Sequence, residues 1–187
     1  MGEMSAESLV LSRWIPWAPA AAEADWDALY TEQLPRVYNF FRYRVGDGPE
    51  AEDLTSITFE KAWRARHRFR RDLAAFPTWL FAIARNVAID RHRSARPMAP
   101  LEAAAGVPGG RTPEELAVAR SDLERLGRLL ARLAPREREL IALKYGAEMT
   151  NRAIARLTGL RESNVGTILH RTIQVLRAAW PEEGDPR

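Results

Sequence analysis

Apolar side chains in this chain recur at three- and four-residue steps in one stretch after another, and nowhere do they alternate with polar ones over the length of a strand. Only a set of amphipathic helices buries such a pattern on one side. From Asp25 onward Trp26, Leu29, Tyr30, Leu34, Val37, Tyr38 and Phe41 form the first such face, and Gly46-Asp47-Gly48-Pro49 stops it. A second helix is predicted from about Glu50, with Leu54, Ile57, Thr58, Ala62 and Trp63 facing inward and Glu52, Asp53, Ser56 and Glu60 elsewhere. A third begins near Pro77, a residue suited to the first helical turn, with Trp79, Leu80, Ile83, Ala84 and Val87 as its buried stripe. The fold class is all-α.

Periodicity vanishes between Ser94 and Arg111 in a run of Ala, Pro and Gly, which reads as a linker able to reach roughly 60 Å when extended. Helical order resumes with a strong start signal, Thr112-Pro113-Glu114-Glu115, an N-cap hydroxyl followed by Pro in the first turn and Glu three residues on. Leu116, Ala119, Leu123, Leu126, Leu130 and Leu133 share one face of the helix that follows. Pro135 ends it, a helix over Arg136 to Tyr145 closes at Gly146, and two more are expected over Asn151 to Thr158 and Ser163 to Ala179. The chain thus divides into a loosely ordered N-terminal arm (1–24), a helical domain (25–96), a flexible linker (97–111), a second helical domain (112–180) and a polar tail (181–187).

A length of 187 residues suits two small domains, each near the lower limit for a self-sufficient core. Lys and Arg exceed Asp and Glu only by 28 to 25, so where the charge sits matters more than its sum. With no cysteine the chain has no disulfide framework, thiolate metal site or cysteine nucleophile. The apolar runs are too short to span a bilayer, and the start lacks a basic region followed by an apolar one. A soluble cytoplasmic protein is expected.

Two segments carry functional chemistry. Between Thr150 and Arg171, Ala155 supplies a small residue where two helices would cross, Gly159 a turn residue tolerant of positive φ, and Ile154, Leu160, Val165 and Ile168 the apolar lock of a helix-turn-helix. Arg161, Glu162, Asn164, Thr167, His170 and Arg171 are left outward on a helix that could enter a major groove. An ordinary helical hairpin with a glycine C-cap is the competing reading. The other segment, Lys61 to Arg71, has six basic residues and no acid, is interleaved with His67 and Phe69, and leads to Phe76 and Trp79. Cations there would neutralise phosphates and aromatic rings would stack on unpaired bases; a solvated surface is the alternative.

AEDLTSITFEKAW (Ala51 to Trp63) followed by FPTWLFAIARNVAIDRHR (Phe76 to Arg93) resembles region two of the extracytoplasmic-function (ECF) sigma factors, and LARLAPREREL (Leu130 to Leu140) followed by TNRAIARLTGLRESNVGTILHRTIQVLR (Thr150 to Arg177) resembles their region four. Both occur in the family's order, over about residues 25 to 180. The resemblance implies a sigma factor that catalyses nothing, needs no cofactor or small-molecule substrate, and binds core RNA polymerase, promoter DNA and an anti-sigma factor. It assigns polymerase docking to Glu50, Asp53, Leu54, Ser56, Ile57 and Glu60, taken as exposed, with core packing the competing role for Leu54 and Ile57. It places the melted minus-ten strand on Arg64, Arg66, His67, Arg68, Phe69, Arg70, Arg71, Phe76, Trp79, Arg85, Asn86 and Arg93. The minus-thirty-five duplex falls to Arg161, Glu162, Asn164, Gly166, Thr167, His170 and Arg171. Gly166 departs from the family, which commonly has a long polar or basic side chain there; Arg152 stands where Glu is frequent, and Arg161 at a usual cap position points to Ser163 as the cap.

Two other functions compete. An autonomous helix-turn-helix regulator would need a dimer surface or effector pocket in its first domain, where this chain has the melted-strand pattern. An enzyme is remote, since His67, His92 and His170 lack ligand-like spacing and there is no phosphate loop or nucleophile motif.

Overall fold

The computed structural model describes residues 25–46, 48–94 and 113–182, and among these every regular element is helical. The arm, the whole linker and the tail beyond Glu182 lie outside the described residues, and the last helix takes in the first two residues expected in the tail. Helix α1 (Trp26–Val45) starts where the Asp25 carboxylate accepts the Ala28 N–H at 3.1 Å. It runs through Pro35, whose missing donor costs about 3 kcal/mol inside a helix. Complete burial of Val37, Phe40 and Phe41 at about 1.5–3 kcal/mol each outweighs that loss.

Helix α2 (Pro49–Ala65) buries Ala51, Leu54, Thr55, Thr58, Phe59 and Ala62. The two threonine hydroxyls stay satisfied by donating to the Ala51 and Leu54 carbonyls, both at 2.7 Å. A short 3₁₀ turn (Arg66–Arg68) leads to α3 (Phe76–Ser94), which contributes Phe76, Leu80, Phe81, Ile83, Ala84, Val87 and Ala88 to the core. Ion pairs Lys61–Asp90 at 3.5 Å and Arg91–Glu50 at 2.8 Å join α2 to α3 at the surface, where each contributes about 0–1 kcal/mol.

In the second half α4 (Pro113–Ala131) is followed by α5 (Pro135–Ile141), whose Glu137 carboxylate reaches back to the Ala134 N–H at 3.3 Å. The helix expected to continue to Tyr145 widens instead into a π-turn (Ala142–Gly146), closed by the Ala147 N–H on the Ala142 carbonyl at 2.9 Å. Helices α6 (Asn151–Thr158) and α7 (Glu162–Glu182) complete it.

The two halves share one continuous core. Its members run from Val37, Phe40 and Leu80 in the first half to Leu140, Leu143 and Ile154 in the second. Alpha-1 lies so close on the π-turn that a Cβ at Gly146 would stand 2.8 Å from the Asn39 carbonyl oxygen and 2.9 Å from Phe40 Cα. Only glycine permits that approach.

Candidate nucleic-acid interface

The helix-turn-helix forms as the spacing predicts. The Thr150 hydroxyl caps α6 by accepting the Ala153 N–H at 3.2 Å, and Gly159 turns the chain in the left-handed region at φ 74°. Ile154, Ala155, Val165 and Leu169 are buried where α6 and α7 meet. Ser163 is not the cap: α7 begins at Glu162, and the Arg161 carbonyl accepts its first helical bond, from Val165 N–H at 3.1 Å. Arg161, Glu162, Asn164, Thr167, His170 and Arg171 are all exposed. Glu162 faces Arg152 at 3.7 Å, so the arginine that departs from the family pattern gains an acidic neighbour. Gly166 is half-buried, and a Cβ there would lie 3.7 Å from the Asn151 amide nitrogen.

On the first half, the docking candidates Glu50, Asp53, Ser56, Ile57 and Glu60 stand on the surface of α2. Leu54 does not; at 3% exposure it belongs to the core, in register with Ala51, Thr58 and Ala62. Ile57 and Trp63, expected to face inward, are 39% and 46% exposed. Glu50 is engaged by Arg91, and Glu60 by Arg64 at 2.6 Å.

Past α2 the cationic segment folds over an aromatic cluster. Trp26 meets Trp63 at 5.3 Å and Phe76 at 5.7 Å, and Phe69, Phe76 and Trp79 lie within 5.5 Å of one another, centroid to centroid. Phe76, expected to stack on bases, is only 7% exposed because this cluster encloses it. Phe69 and Trp79 are partly buried against it. The Arg66 guanidinium lies 3.9 Å above the Trp63 ring, a cation–π pair the sequence reading did not assign. Arg64, His67, Arg68 and Arg71 are exposed, whereas Arg70 is held by Asp72 at 2.5 Å, a contact that lowers the carboxyl's pKa below its ordinary value. Arg93 is exposed and Asn86 half-buried.

Arg85 is drawn to the other half, its Nε 2.8 Å from Glu139 Oε1. Arg44 approaches the same oxygen at 3.5 Å. Neither Arg44 nor Glu139 was among the residues the sequence singled out, because the contact joins positions far apart in the chain.

Residues 29–97 match the family pattern of Sigma-70 region 2, and residues 123–176 that of Sigma-70, region 4. The ECF RNA polymerase sigma factor SigL of Mycobacterium tuberculosis is 32% identical over 174 residues, 91% of this chain and 97% of SigL. This chain belongs to the ECF sigma factors. BldN of Streptomyces coelicolor, another ECF sigma factor, is 30% identical over 167 residues, 87% of this chain but only 63% of BldN's own length. Among solved structures, the sigma factor RpoE in complex with the anti-sigma factor NepR from Bartonella quintana has a TM-score of 0.67 at 22% identity, over 82% of this chain and 95% of RpoE, which establishes the common fold. CnrH in complex with the cytosolic domain of CnrY has a TM-score of 0.57 at 25% identity, over 83% and 84% of the two chains. The sigma factor's described helices include none long and apolar enough to cross a membrane.

Proposed function

We propose that this sigma factor works in the cytoplasm as the promoter-specificity subunit of RNA polymerase, with residues 25–96 and 112–180 as its functional units, and performs no catalysis itself. The exposed α2 residues Glu50, Asp53, Ser56, Ile57 and Glu60 dock on core polymerase. Arg64, Arg66, His67, Arg68 and Arg71 line the path of the melted minus-ten strand, with Arg85, Asn86 and Arg93 of α3 beyond them. The exposed row Arg161, Asn164, Thr167, His170 and Arg171 reads the minus-thirty-five duplex. An anti-sigma factor, the kind of partner seen with RpoE, is proposed as its regulator.

One observation supports this reading most: an exposed acidic helix face and a cationic aromatic segment share one half, while a helix-turn-helix with its polar row exposed occupies the other. An autonomous regulator has no use for the first pair. The experiment is reconstitution, in which purified chain is added to core polymerase and promoter-specific transcripts are measured. Transcription from defined starts is expected. Tight binding of the chain alone, as a dimer, to a two-fold operator would replace this reading with the autonomous regulator.

A further inference from the structure

The two halves are held together in a way that reading a promoter does not permit. Elements named for positions about 25 base pairs apart are separated by roughly 85 Å along a duplex at 3.4 Å per pair. A compact body of this size has a radius of gyration of only about 16 Å. With Arg85 on the first half touching Glu139 on the second, the two reading surfaces cannot reach both elements at once. The seam therefore parts when the sigma factor works.

The charge arrangement in the seam gives that parting a consequence. Glu139 Oε1 lies 2.8 Å from Arg85 Nε and 3.5 Å from an Arg44 nitrogen that makes no hydrogen bond. Side-chain exposure is only 16% for Arg44 and 13% for Glu139. Burial, Arg85 and Arg138 all oppose the charge of Arg44, and the Glu139 carboxylate is the one partner that offsets them, in part. When the halves separate, two guanidiniums of the first half lose their one shared anion. Both are forks suited to oxyanions, and Arg85 already sits on the helix proposed to follow the minus-ten strand.

We propose that Glu139 is an internal phosphate mimic: in the closed chain its carboxylate occupies an anion site between Arg44 and Arg85, and opening of the seam hands that site to a phosphate of the melted promoter strand. This rests on the proposed minus-ten role of α3 and adds Arg44 to it. Opening exchanges one anion for another, so the chain stays closed and DNA-poor until polymerase separates its halves. Gly146 sets how tightly the seam shuts, because the atoms nearest its missing Cβ all belong to the backbone of Asn39 and Phe40.

Because the chain has no cysteine, His92→Cys on α3 and Ala178→Cys on α7, both at exposed positions, give a unique spin-label pair with one label on each half. A single narrow distance distribution is expected in the free protein. Glu139→Gln, and independently Gly146→Leu, are expected to lengthen and broaden it. If the wild type is closed in about nine molecules of ten, each is expected to tighten binding of a short mixed-sequence single-stranded DNA about ten-fold. Adding Arg44→Ala to Glu139→Gln is expected to abolish the gain and lower the salt slope by about 0.7. Wild-type distances and affinities in both Glu139→Gln and Gly146→Leu would overturn the mimic; an unchanged slope on adding Arg44→Ala would overturn the phosphate site. Promoter-specific transcription by wild-type holoenzyme is measured in parallel, and its absence would overturn the functional reading whatever the distances show.

Discussion

The Arg36 guanidinium of α1 donates two hydrogen bonds, of 3.1 and 2.6 Å, to the carbonyl oxygen of Ala147, a residue wholly buried just beyond the π-turn. The π-turn and the left-handed Glu148 at φ 53° take the backbone off its helical course there, and an arginine from the other half satisfies the Ala147 carbonyl. A third bond, from Arg36 to Gln33 Oε1 at 3.0 Å, fixes the side chain on its own helix.

Arg36→Ala leaves that buried carbonyl unsatisfied, so a loss of about 1–3 kcal/mol is expected. It should also uncouple the halves. Urea unfolding followed by tryptophan fluorescence, which reports chiefly on the first half, and by circular dichroism, which reports on both, is expected to coincide in the wild type and separate in the variant. Coincident curves at wild-type stability would show that the bond carries no coupling.

Gly159→Ala tests the turn of the helix-turn-helix. An added Cβ meets nothing within 4 Å, so the cost is that of placing an L side chain at φ 74°, about 1–2 kcal/mol. A shift of that size in the urea midpoint with an unchanged slope is expected. A neutral substitution would mean that the turn relaxes to another geometry.

Much of this architecture is legible in the sequence, and the features that are not share a cause. The limits of α1, α3 and α6 follow from capping residues, proline placement and apolar spacing, all local. Apolar character alone puts Ile57 and Trp63 on the inner face of α2, yet at 100° per residue they fall about 100° and 140° from Thr58, outside the arc that holds Ala51, Leu54 and Ala62. The helical period itself turns both outward. Phe76 reads as a stacking ring because nothing local reveals that Trp26, fifty residues earlier, covers it. The seam is the extreme case: Gly146 against Asn39 and Glu139 between Arg44 and Arg85 are long-range pairings that no periodicity reports.

Charge reversal at Asp53 and Glu60 is expected to weaken association with core polymerase while leaving helical content unchanged. Both side chains are exposed, and the Glu60–Arg64 pair is a surface contact worth about 0.3–0.5 kcal/mol. Steering and registration at a docking surface depend on such charges more than the fold does. A titration of labelled core polymerase checks this; wild-type affinity in the double variant would remove α2 from the interface.

The cationic segment should not act as a uniform patch. Arg68→Ala and Arg71→Ala each alter an exposed guanidinium and are expected to lower the salt slope of open-complex formation by about 0.7–0.9. Arg70 is committed to Asp72 through two nitrogens, at 3.1 and 2.5 Å, so Arg70→Ala is expected to change the slope less. Equal effects from all three would mean that the Asp72 clamp opens when DNA binds.

The recognition helix makes the sharpest demand on individual side chains. Thr167 donates its hydroxyl to the Ser163 carbonyl at 3.0 Å, which commits its one donor to the helix and leaves its methyl and lone pairs for a base edge. Arg171 is exposed on the same helix and has the fork needed for bidentate contact with guanine. Arg171→Ala is therefore expected to cost about 1–3 kcal/mol in holoenzyme binding to the upstream element and to relax specificity at one base pair. Gly166 provides the counter-test. A Cβ there is in ordinary contact with Asn151, so Gly166→Arg should fold, with a helix-propensity gain of up to about 1 kcal/mol. The added guanidinium is expected to tighten upstream binding and to steepen its salt dependence by about 0.9 if it reaches a phosphate. Competition footprinting of holoenzyme over a salt series separates the two variants. Loss of specificity from Arg171→Ala beside a uniform gain from Gly166→Arg identifies the helix as the reader; no change from either would place the minus-thirty-five contacts elsewhere on the second half.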